Sequence, residues 1–163
     1  MSKYPFQIQG DSMFPTLKNL QEVEIVAIDS DKLIRRGNIV VFSLDNDDTK
    51  TANQKLWHVK RVIGLPYEQV IFRNGSVWIR NSLFKEFKLD ESYLQNDSTY
   101  KLGIRNYTLS GKENHDYFEI VLKDCEYFLL GDNRTASYDS RNTGPATREQ
   151  IKYEIVAQEE VEY

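Results

Sequence analysis

The sequence predicts an all-β protein built from antiparallel sheets. Residues with β-branched and aromatic side chains recur in short runs of about five to eight, and Gly, Asn, Asp or Pro separates one run from the next. Helix signals are few, and an Asn-Gly pair at 74–75 lies between two apolar runs, where it favours a two-residue hairpin turn. We expect a single catalytic domain over residues 1–163, because this length can bury its own hydrophobic core.

Each predicted strand is one of these runs. In chain order the predicted strands are 4–9, 22–28, 38–44, 56–63, 69–72, 77–80, 117–122, 127–130 and 153–158. The clearest helix signal is 145–150, where Thr147 is expected to cap a short turn. Residues 81–116 are polar and irregular, and we predict that they form a variable insertion or cap sub-domain on the core.

Composition and charge exclude several classes of function. The 21 Lys and Arg residues against 25 Asp and Glu residues give a net charge of −4, so no basic field is available to hold nucleic acid. The single cysteine, Cys125, has no partner for an internal disulfide, and no Cys/His cluster has metal-ligand spacing. The acidic loop at 45–48 lacks the downstream residues of a calcium loop. We therefore expect no nucleic acid, no metal and no cofactor.

Membrane signals are weak in the chain as given. The longest apolar run, 39–42, is far too short to cross a bilayer, and the first three residues open no signal-peptide pattern. This pattern favours a soluble chain. It fits a naturally soluble protein and equally a domain whose membrane anchor lies outside the given residues.

Three segments carry candidate chemistry: GDSMFPTL at 10–17, HVKRVIGLP at 58–66 and GDNRTASYDSR at 131–141. Ser12 follows a predicted strand in a tight connection between Gly10 and Pro15, which can hold its hydroxyl exposed on a fixed backbone. Without the other two segments, an ordinary turn serine would be the favoured interpretation. Pro15 rules out a Ser-x-x-Lys motif, and Phe14 rules out a Gly-x-Ser-x-Gly elbow.

A serine nucleophile needs a base, and Lys60 is the best candidate. Strand alternation places it on the same face as His58 and Val62, within an apolar run that predicts burial. To accept a proton its pKa must fall from about 10.4 to roughly 7 or 8, which corresponds to roughly 4 kcal/mol. The alternatives are a surface lysine beside Arg61, or a Ser/His/Asp triad that uses His58 or His115.

The third segment supplies possible support for this pair. Ser137 is placed to hold the lysine amine, and Asp139 and Arg141 are two residues apart in a predicted extended stretch, where they can pair. A polar loop of this kind is otherwise an ordinary turn network.

Together the three segments resemble the bacterial type I signal peptidases, whose boxes read Gly-x-Ser-Met-x-Pro-Thr-Leu, Lys-Arg-x-x-Gly-x-Pro and Gly-Asp-Asn-Arg-x-x-Ser-x-Asp-Ser-Arg. The resemblance implies an all-β core of antiparallel sheets, with Ser12 as nucleophile and Lys60 as general base. It implies that Ser137 orients Lys60 and that the Ser12 backbone N–H stabilises the oxyanion. The remaining support residues implied in this way are Arg61, Asp132, Asp139 and Arg141.

Two departures from the family pattern stand out. Gly10 occupies the position where some members carry a serine as a second oxyanion donor. A glycine at this position resembles the Gram-positive branch of the family. The second donor must then be a backbone N–H or be absent. Leu65 precedes a Pro-Tyr-Glu sequence where the family usually has Gly-Asp after the proline, and we expect this change to affect packing more than chemistry.

The resemblance also implies substrate and location. Exported preproteins are cut after a small-x-small motif, the enzyme lies at the extracytoplasmic face of the cell membrane, and a single-pass N-terminal anchor is expected in the full-length protein. The substrate is expected to add a strand to an exposed sheet edge. The residues implied to line the two shallow pockets for small side chains are Phe6, Ile8, Met13, Leu17, His58 and Val59.

Two rival functions remain open at the level of sequence. One is a self-cleaving repressor-type Ser/Lys peptidase, which the Gly-Asp-Asn-Arg box and the absence of a helix-turn-helix argue against. The other is an assembly factor, for example in pilus assembly, that binds secreted substrates without cutting them. Both dyad residues are present, which favours an active enzyme.

Overall fold

Two antiparallel sheets make up the computed structural model, which describes residues 1–45, 49–94 and 117–156. The strands are β1 (Lys3–Gln7), β2 (Glu22–Ala27), β3 (Ile39–Phe42), β4 (His58–Gly64), β5 (Gln69–Arg73), β6 (Ser76–Arg80), β7 (Glu86–Lys88), β8 (Tyr117–Val121), β9 (Glu126–Leu130), β10 (Ala146–Thr147) and β11 (Ile151–Ile155). One short helix, α1 (Ser140–Thr143), and two 3-10 turns, Ala52–Gln54 and Arg148–Gln150, complete the described elements.

The larger sheet has seven strands in the order β1-β2-β11-β3-β4-β9-β10. Strand β1 lies at one end of this order and pairs only with β2 among the described strands, so its other edge is open. Strand β4 lies inside the sheet between β3 and β9, where Val40 faces Lys60 across the β3–β4 ladder. The strand that carries the candidate base is therefore held on both sides.

The smaller sheet has four strands in the order β7-β6-β5-β8. Its central hairpin turns at Asn74 and Gly75, whose φ angles of 53° and 76° suit the two-residue turn that the Asn-Gly pair predicts. Glycine adopts positive φ without steric cost, which explains its place in this turn.

Three clusters of buried apolar side chains form the core. The first lies between the small sheet and β4 and β9, and it includes Phe72 and Phe128 with ring centroids 5.9 Å apart. The second lies on the face of the large sheet that contains Val40 and Val62. The third covers the opposite face and includes Ile8, Met13 and Val59, so the residues next to Ser12 and Lys60 in the sequence both contribute to it.

All nine predicted strands are present, with ends that coincide or are shifted by one or two residues where they can be compared. Prediction missed β7, β10 and α1, which are two to four residues long and too short to show a periodic pattern. The predicted turn at 145–150 is confirmed in part, since Thr147 precedes the 3-10 turn Arg148–Gln150 and its N–H donates to the Gln150 side chain at 2.9 Å.

Part of the predicted insertion at 81–116 can be placed. Residues 81–94 include β7, which extends the small sheet, and a following stretch that packs towards the candidate site. Residues 95–116 lie outside the described residues, as does the end of the predicted strand 153–158. Over the described ranges, no helix has both the length and the apolar character needed to cross a bilayer.

Candidate active site

Ser12 and Lys60 meet at the centre of the candidate site. Lys60 Nζ lies 2.8 Å from Ser12 Oγ and 3.0 Å from the carbonyl oxygen of Val59, both hydrogen-bonding distances. Lys60 is only 4% exposed, whereas Ser12 is half-buried and open to an incoming group. The structure thus brings together two side chains that are 48 residues apart in the sequence.

Burial lowers the pKa of Lys60 from its ordinary 10.5 to about 8, although the negative charge of Asp139 opposes this fall. The difference corresponds to about 3 kcal/mol against the ammonium form. At pH 7 about a tenth of the lysine is therefore neutral, far more than at its ordinary pKa. In that form the 2.8 Å contact lets the Ser12 hydroxyl donate to the amine. This is the geometry and charge state that a general base needs.

The loop that carries Ser12 is fixed by backbone hydrogen bonds. The N–H of Asn133 donates to the Ser12 carbonyl oxygen at 2.9 Å, and its side-chain amide donates to the Asp11 carbonyl at 3.1 Å. Gly10 has φ of 83°, which suits glycine, and its N–H is used by the Asn19 side chain at 2.8 Å. None of the hydrogen bonds of the described residues uses the Ser12 N–H. Ser12 N–H is therefore available to an oxyanion, whereas Gly10 N–H is not.

The third segment closes over this loop at Gly131. A Cβ atom added to Gly131 would lie 2.5 Å from the Ser12 carbonyl oxygen and 2.6 Å from Ser137 Cβ, so only glycine fits between them. Ser137 was predicted to hold the lysine amine, and in the structure its Oγ donates to Asp139 at 2.7 Å. The negative charge of Asp139 in turn raises the pKa of Lys60.

The predicted pair of Asp139 and Arg141 is present, but not in an extended stretch. Arg141 donates to both Asp139 oxygens, at 2.9 and 3.0 Å, while Asp139 caps α1 through the Arg141 N–H. Burial alone would raise the pKa of Asp139, but hydrogen bonds from Arg141, the Gly131 N–H and Ser137 more than offset it and hold the pKa below its usual range. The carboxylate stays ionised and ties the loop to the helix.

Arg61 and Asp132 form a second brace. Arg61 donates to both Asp132 oxygens, at 2.8 and 2.6 Å, and the Thr16 hydroxyl donates to the same carboxylate at 2.5 Å. The guanidinium of Arg61 also lies 3.9 Å from the ring centroid of Tyr93. This brace joins β4, the loop after β9 and the loop that contains Ser12.

Sequence reasoning missed two contributors to this arrangement. Glu91 pairs with Arg134 at 2.6 Å, with side chains only 8% and 1% exposed, and Arg134 Nε donates to the Gly131 carbonyl at 2.8 Å. Tyr93 covers Arg61. Both Glu91 and Tyr93 come from the segment predicted as an insertion, and no local pattern marked them. The signal available was the Arg in the Gly-Asp-Asn-Arg motif, whose charge requires a partner when it is buried.

Five of the six side chains implied for substrate binding share one apolar cluster. Ile8, Met13, Leu17 and Val59 are more than nine-tenths buried in the third cluster, and Phe6 packs against it. These side chains are therefore core residues with little surface exposed to solvent. His58 is not part of this cluster: it shares its face of β4 with Lys60 and stacks on Phe42 with ring centroids 5.5 Å apart.

Among the described residues, no histidine completes a triad with Ser12. Burial, and then the nearby charge of Lys60, lowers the pKa of His58, but Ser12 Oγ has Lys60 as its hydrogen-bonded neighbour. His115 lies outside the described residues. Of the bases considered from the sequence, Lys60 is the one that the structure places on the hydroxyl.

Comparison with known proteins gives consistent matches. The sequence model of the family described as signal peptidase, peptidase S26, matches residues 2–158. Signal peptidase IB of Staphylococcus aureus is 32% identical over 151 residues, which cover 90% of this chain and 72% of that protein. Signal peptidase I S of Bacillus subtilis is 36% identical over 151 residues, covering 90% and 71% respectively.

A solved structure is also similar. The crystal structure of a signal peptidase I from Enterococcus faecalis V583 matches with a TM-score of 0.52 and 25% identity, and the match covers 78% of this chain and 100% of that one. The fold and the sequence therefore point to the same family.

Proposed function

The chain belongs to the peptidase S26 family of signal peptidases, and from this premise we propose that Ser12 and Lys60 perform the family's reaction in it. The protein is a serine peptidase that removes signal peptides from exported preproteins. The observation that supports the two assignments is the 2.8 Å contact between Ser12 Oγ and a buried lysine whose pKa is lowered to about 8.

The reaction follows from this geometry. Neutral Lys60 takes the Ser12 hydroxyl proton while the Ser12 oxygen attacks the carbonyl carbon of the last residue of the small-x-small motif. The oxyanion of the tetrahedral intermediate is stabilised by the Ser12 N–H. The Lys60 ammonium then gives its proton to the leaving amine as the peptide bond breaks, which leaves an acyl ester on Ser12. Lys60 next takes a proton from a water molecule, and the water oxygen attacks the ester carbonyl carbon. As the bond from that carbon to Ser12 Oγ breaks, the Lys60 ammonium returns the proton to Oγ, which releases the signal peptide with a free carboxyl end and regenerates the dyad.

We assign supporting roles to the residues around the dyad. Arg61 with Asp132, and Arg141 with Asp139, fix the loops that flank Ser12, and Ser137 orients the Asp139 carboxylate near Lys60. Ile8, Met13, Leu17 and Val59, with Phe6 packed against them, form the floor under the small substrate side chains. His58 lies on the face of β4 that carries Lys60. Gly10 leaves the oxyanion position free of a side chain.

The proposed location is the extracytoplasmic face of the cell membrane, with a single-pass anchor in the full-length protein. Two features support a membrane surface as partner: the family is membrane-associated, and Phe14 and Leu20, which flank the loop of Ser12, are 41% and 57% exposed. Co-sedimentation with anionic vesicles should fall in a Phe14→Ser, Leu20→Ser double variant. Unchanged co-sedimentation would count against these two residues as the contact.

We also propose that the domain is a single catalytic unit in which residues 81–116 act as a cap. The support is that Glu91 and Tyr93 contact Arg134 and Arg61 beside the dyad. Binding of secreted proteins without cleavage is not favoured, because the relatives are named peptidases and both dyad residues are present.

The test is cleavage of a fluorogenic peptide with an Ala-x-Ala site in detergent, with the products identified by mass spectrometry. Wild type should cut after the second Ala, and Ser12→Ala and Lys60→Ala should each lose at least about a thousand-fold in kcat/KM. Ser82→Ala and Lys123→Ala, which change exposed residues of the same types, are matched controls and should keep wild-type activity. Full activity in either dyad variant would refute the assignment.

A further inference from the structure

A cavity of about 500 Å³ lies beside the edge strand β1 and is not used by the reaction described above. Tyr4 and Phe6 of β1 form one wall, and Trp57, in the segment that enters β4, forms the other. Ile25 and Tyr153 lie between these walls. Of these residues only Phe6 belongs to the set implied for the two small substrate side chains.

The walls suit an apolar side chain. The rings of Trp57 and Tyr153 meet edge to face with centroids 5.6 Å apart, and the Trp57 indole N–H is already used by the Ala52 carbonyl at 2.9 Å. What these rings present to the cavity is therefore mainly hydrocarbon. The charged side chain in the lining is Lys55, which disfavours a basic occupant.

The cavity adjoins the third apolar cluster, to which the neighbours of both dyad residues belong. Phe6 and Ile8 are two residues apart on the segment that runs to Ser12, and they share one cluster. Trp57 and Val59 are likewise two apart, belong to that cluster, and run directly into Lys60. Tyr153 pairs with Val41, and Val41 pairs with Val59, across neighbouring strands. The side chains of all three residues therefore lie on the same face of the large sheet.

Strand spacing identifies which substrate residue reaches the cavity. A substrate added along β1 advances about 3.3 Å per residue, and alternate side chains point to the same face. The first and third residues before the cut are the small residues of the motif, so the fifth is the next on that face. Trp57 precedes Lys60 by three residues, or about 10 Å, which places the cavity beyond the third residue.

We propose that this cavity is an upstream subsite that binds an apolar side chain, of the size of Leu or Phe, at the fifth residue before the cleavage site. The inference rests on the proposed function, since it adds a recognition element to the same cleft. The occupant comes from the apolar segment that precedes the small-x-small motif in a signal peptide. The subsite would contribute selectivity that two small-residue pockets cannot supply.

The experiment compares Ala-x-Ala peptides that differ only at the fifth residue before the cut, which is Leu, Phe, Asn or Lys. For wild type, kcat/KM should be about ten-fold higher with Leu or Phe than with Asn, and lowest with Lys. Trp57→Ala should reduce the ratio of Leu to Asn to about two-fold while the Asn peptide is still cut at the wild-type rate. Trp78→Ala, which changes the other tryptophan of the chain, should leave the ratio unchanged.

A second variant guards against a folding defect in Trp57→Ala. Tyr4 is 49% exposed at the rim, so Tyr4→Asp should fold, lower the preference for Leu and raise cleavage of the Lys peptide. Equal kcat/KM for Leu and Asn in wild type, or an unchanged ratio in both cavity variants, would overturn the subsite while leaving the proposed function intact. Absence of cleavage of every peptide by wild type would instead refute the proposed function, and the subsite with it.

Discussion

Gly131→Ala should inactivate the enzyme without touching either member of the dyad. The new Cβ would lie 2.5 Å from the Ser12 carbonyl oxygen and 2.6 Å from Ser137 Cβ. Ordinary contacts of this kind are about 3.5 Å long, so the loops must separate by about 1 Å. The atom nearest to the new Cβ is Ser137 Oγ, and the next is the Ser12 carbonyl oxygen, which belongs to the backbone of the nucleophile itself.

The magnitude follows from this displacement. Overpacking of a buried position typically costs about 1 to 3 kcal/mol of the free energy of unfolding. A displacement of about 1 Å at a reacting group costs about a hundred-fold in rate. Because the contact between Ser12 Oγ and Lys60 Nζ is 2.8 Å long, a shift of this size breaks it. We expect kcat/KM to fall about a hundred-fold with a modest loss of stability.

The matched control is Gly64→Ala, a second buried glycine remote from the reaction. Its Cβ would meet Val70 Cγ2 at 2.5 Å and Leu122 Cδ1 at 2.7 Å, in the cluster that joins the two sheets. It should lose a similar free energy of unfolding but keep kcat/KM within about three-fold of wild type. The assay pairs thermal unfolding with peptide cleavage well below both melting temperatures. Wild-type kcat/KM in Gly131→Ala would refute the argument that this contact fixes Ser12.

Three further predictions concern the charged groups around the dyad. Glu91→Gln removes the charge of a buried ion pair with Arg134, so the free energy of unfolding measured in urea should fall by about 1 to 3 kcal/mol; an unchanged midpoint would contradict this. Because the pKa of Lys60 is about 8 in the folded state and ordinarily 10.5, the unfolded state binds more protons between these two pH values. The free energy of unfolding of wild type should therefore rise by about 3 kcal/mol from pH 8 to 10.5, relative to that of Lys60→Met. Parallel stability curves for the two proteins would contradict this. Since the charge of Asp139 raises the pKa of Lys60, the acid limb of the activity profile should move to lower pH in Asp139→Asn, and a move to higher pH would contradict this.

The strands could be predicted because each carries its own signal. Runs such as 39–42 and 127–130 are apolar enough to form buried strands in any context, and Asn74-Gly75 specifies its turn locally. The helix α1 could not be predicted in this way, because its four residues depend on the Asp139 cap and on tertiary contacts of Arg141. Burial of Lys60 was predictable from alternation on a strand with apolar neighbours.

The partners of the site residues were harder to predict than the residues themselves. Ser137 was expected to contact Lys60, but it donates to Asp139, a choice set by the path of the loop into α1. Glu91 and Tyr93 contact Arg134 and Arg61 from more than 25 residues away in sequence, and nothing in their local pattern distinguishes them from solvent-exposed residues. Long-range packing decides such contacts, and local sequence does not encode it.

The central claim is that buried Lys60 is the base for Ser12. The pH dependence of kcat/KM for an Ala-x-Ala peptide tests this claim most directly. The account predicts that wild-type activity rises through a midpoint of about 8, the lowered pKa of Lys60, and that Lys60→Ala is inactive at every pH. A midpoint near the ordinary lysine value of 10.5, or a Lys60→Ala variant that retains the wild-type profile, would contradict it.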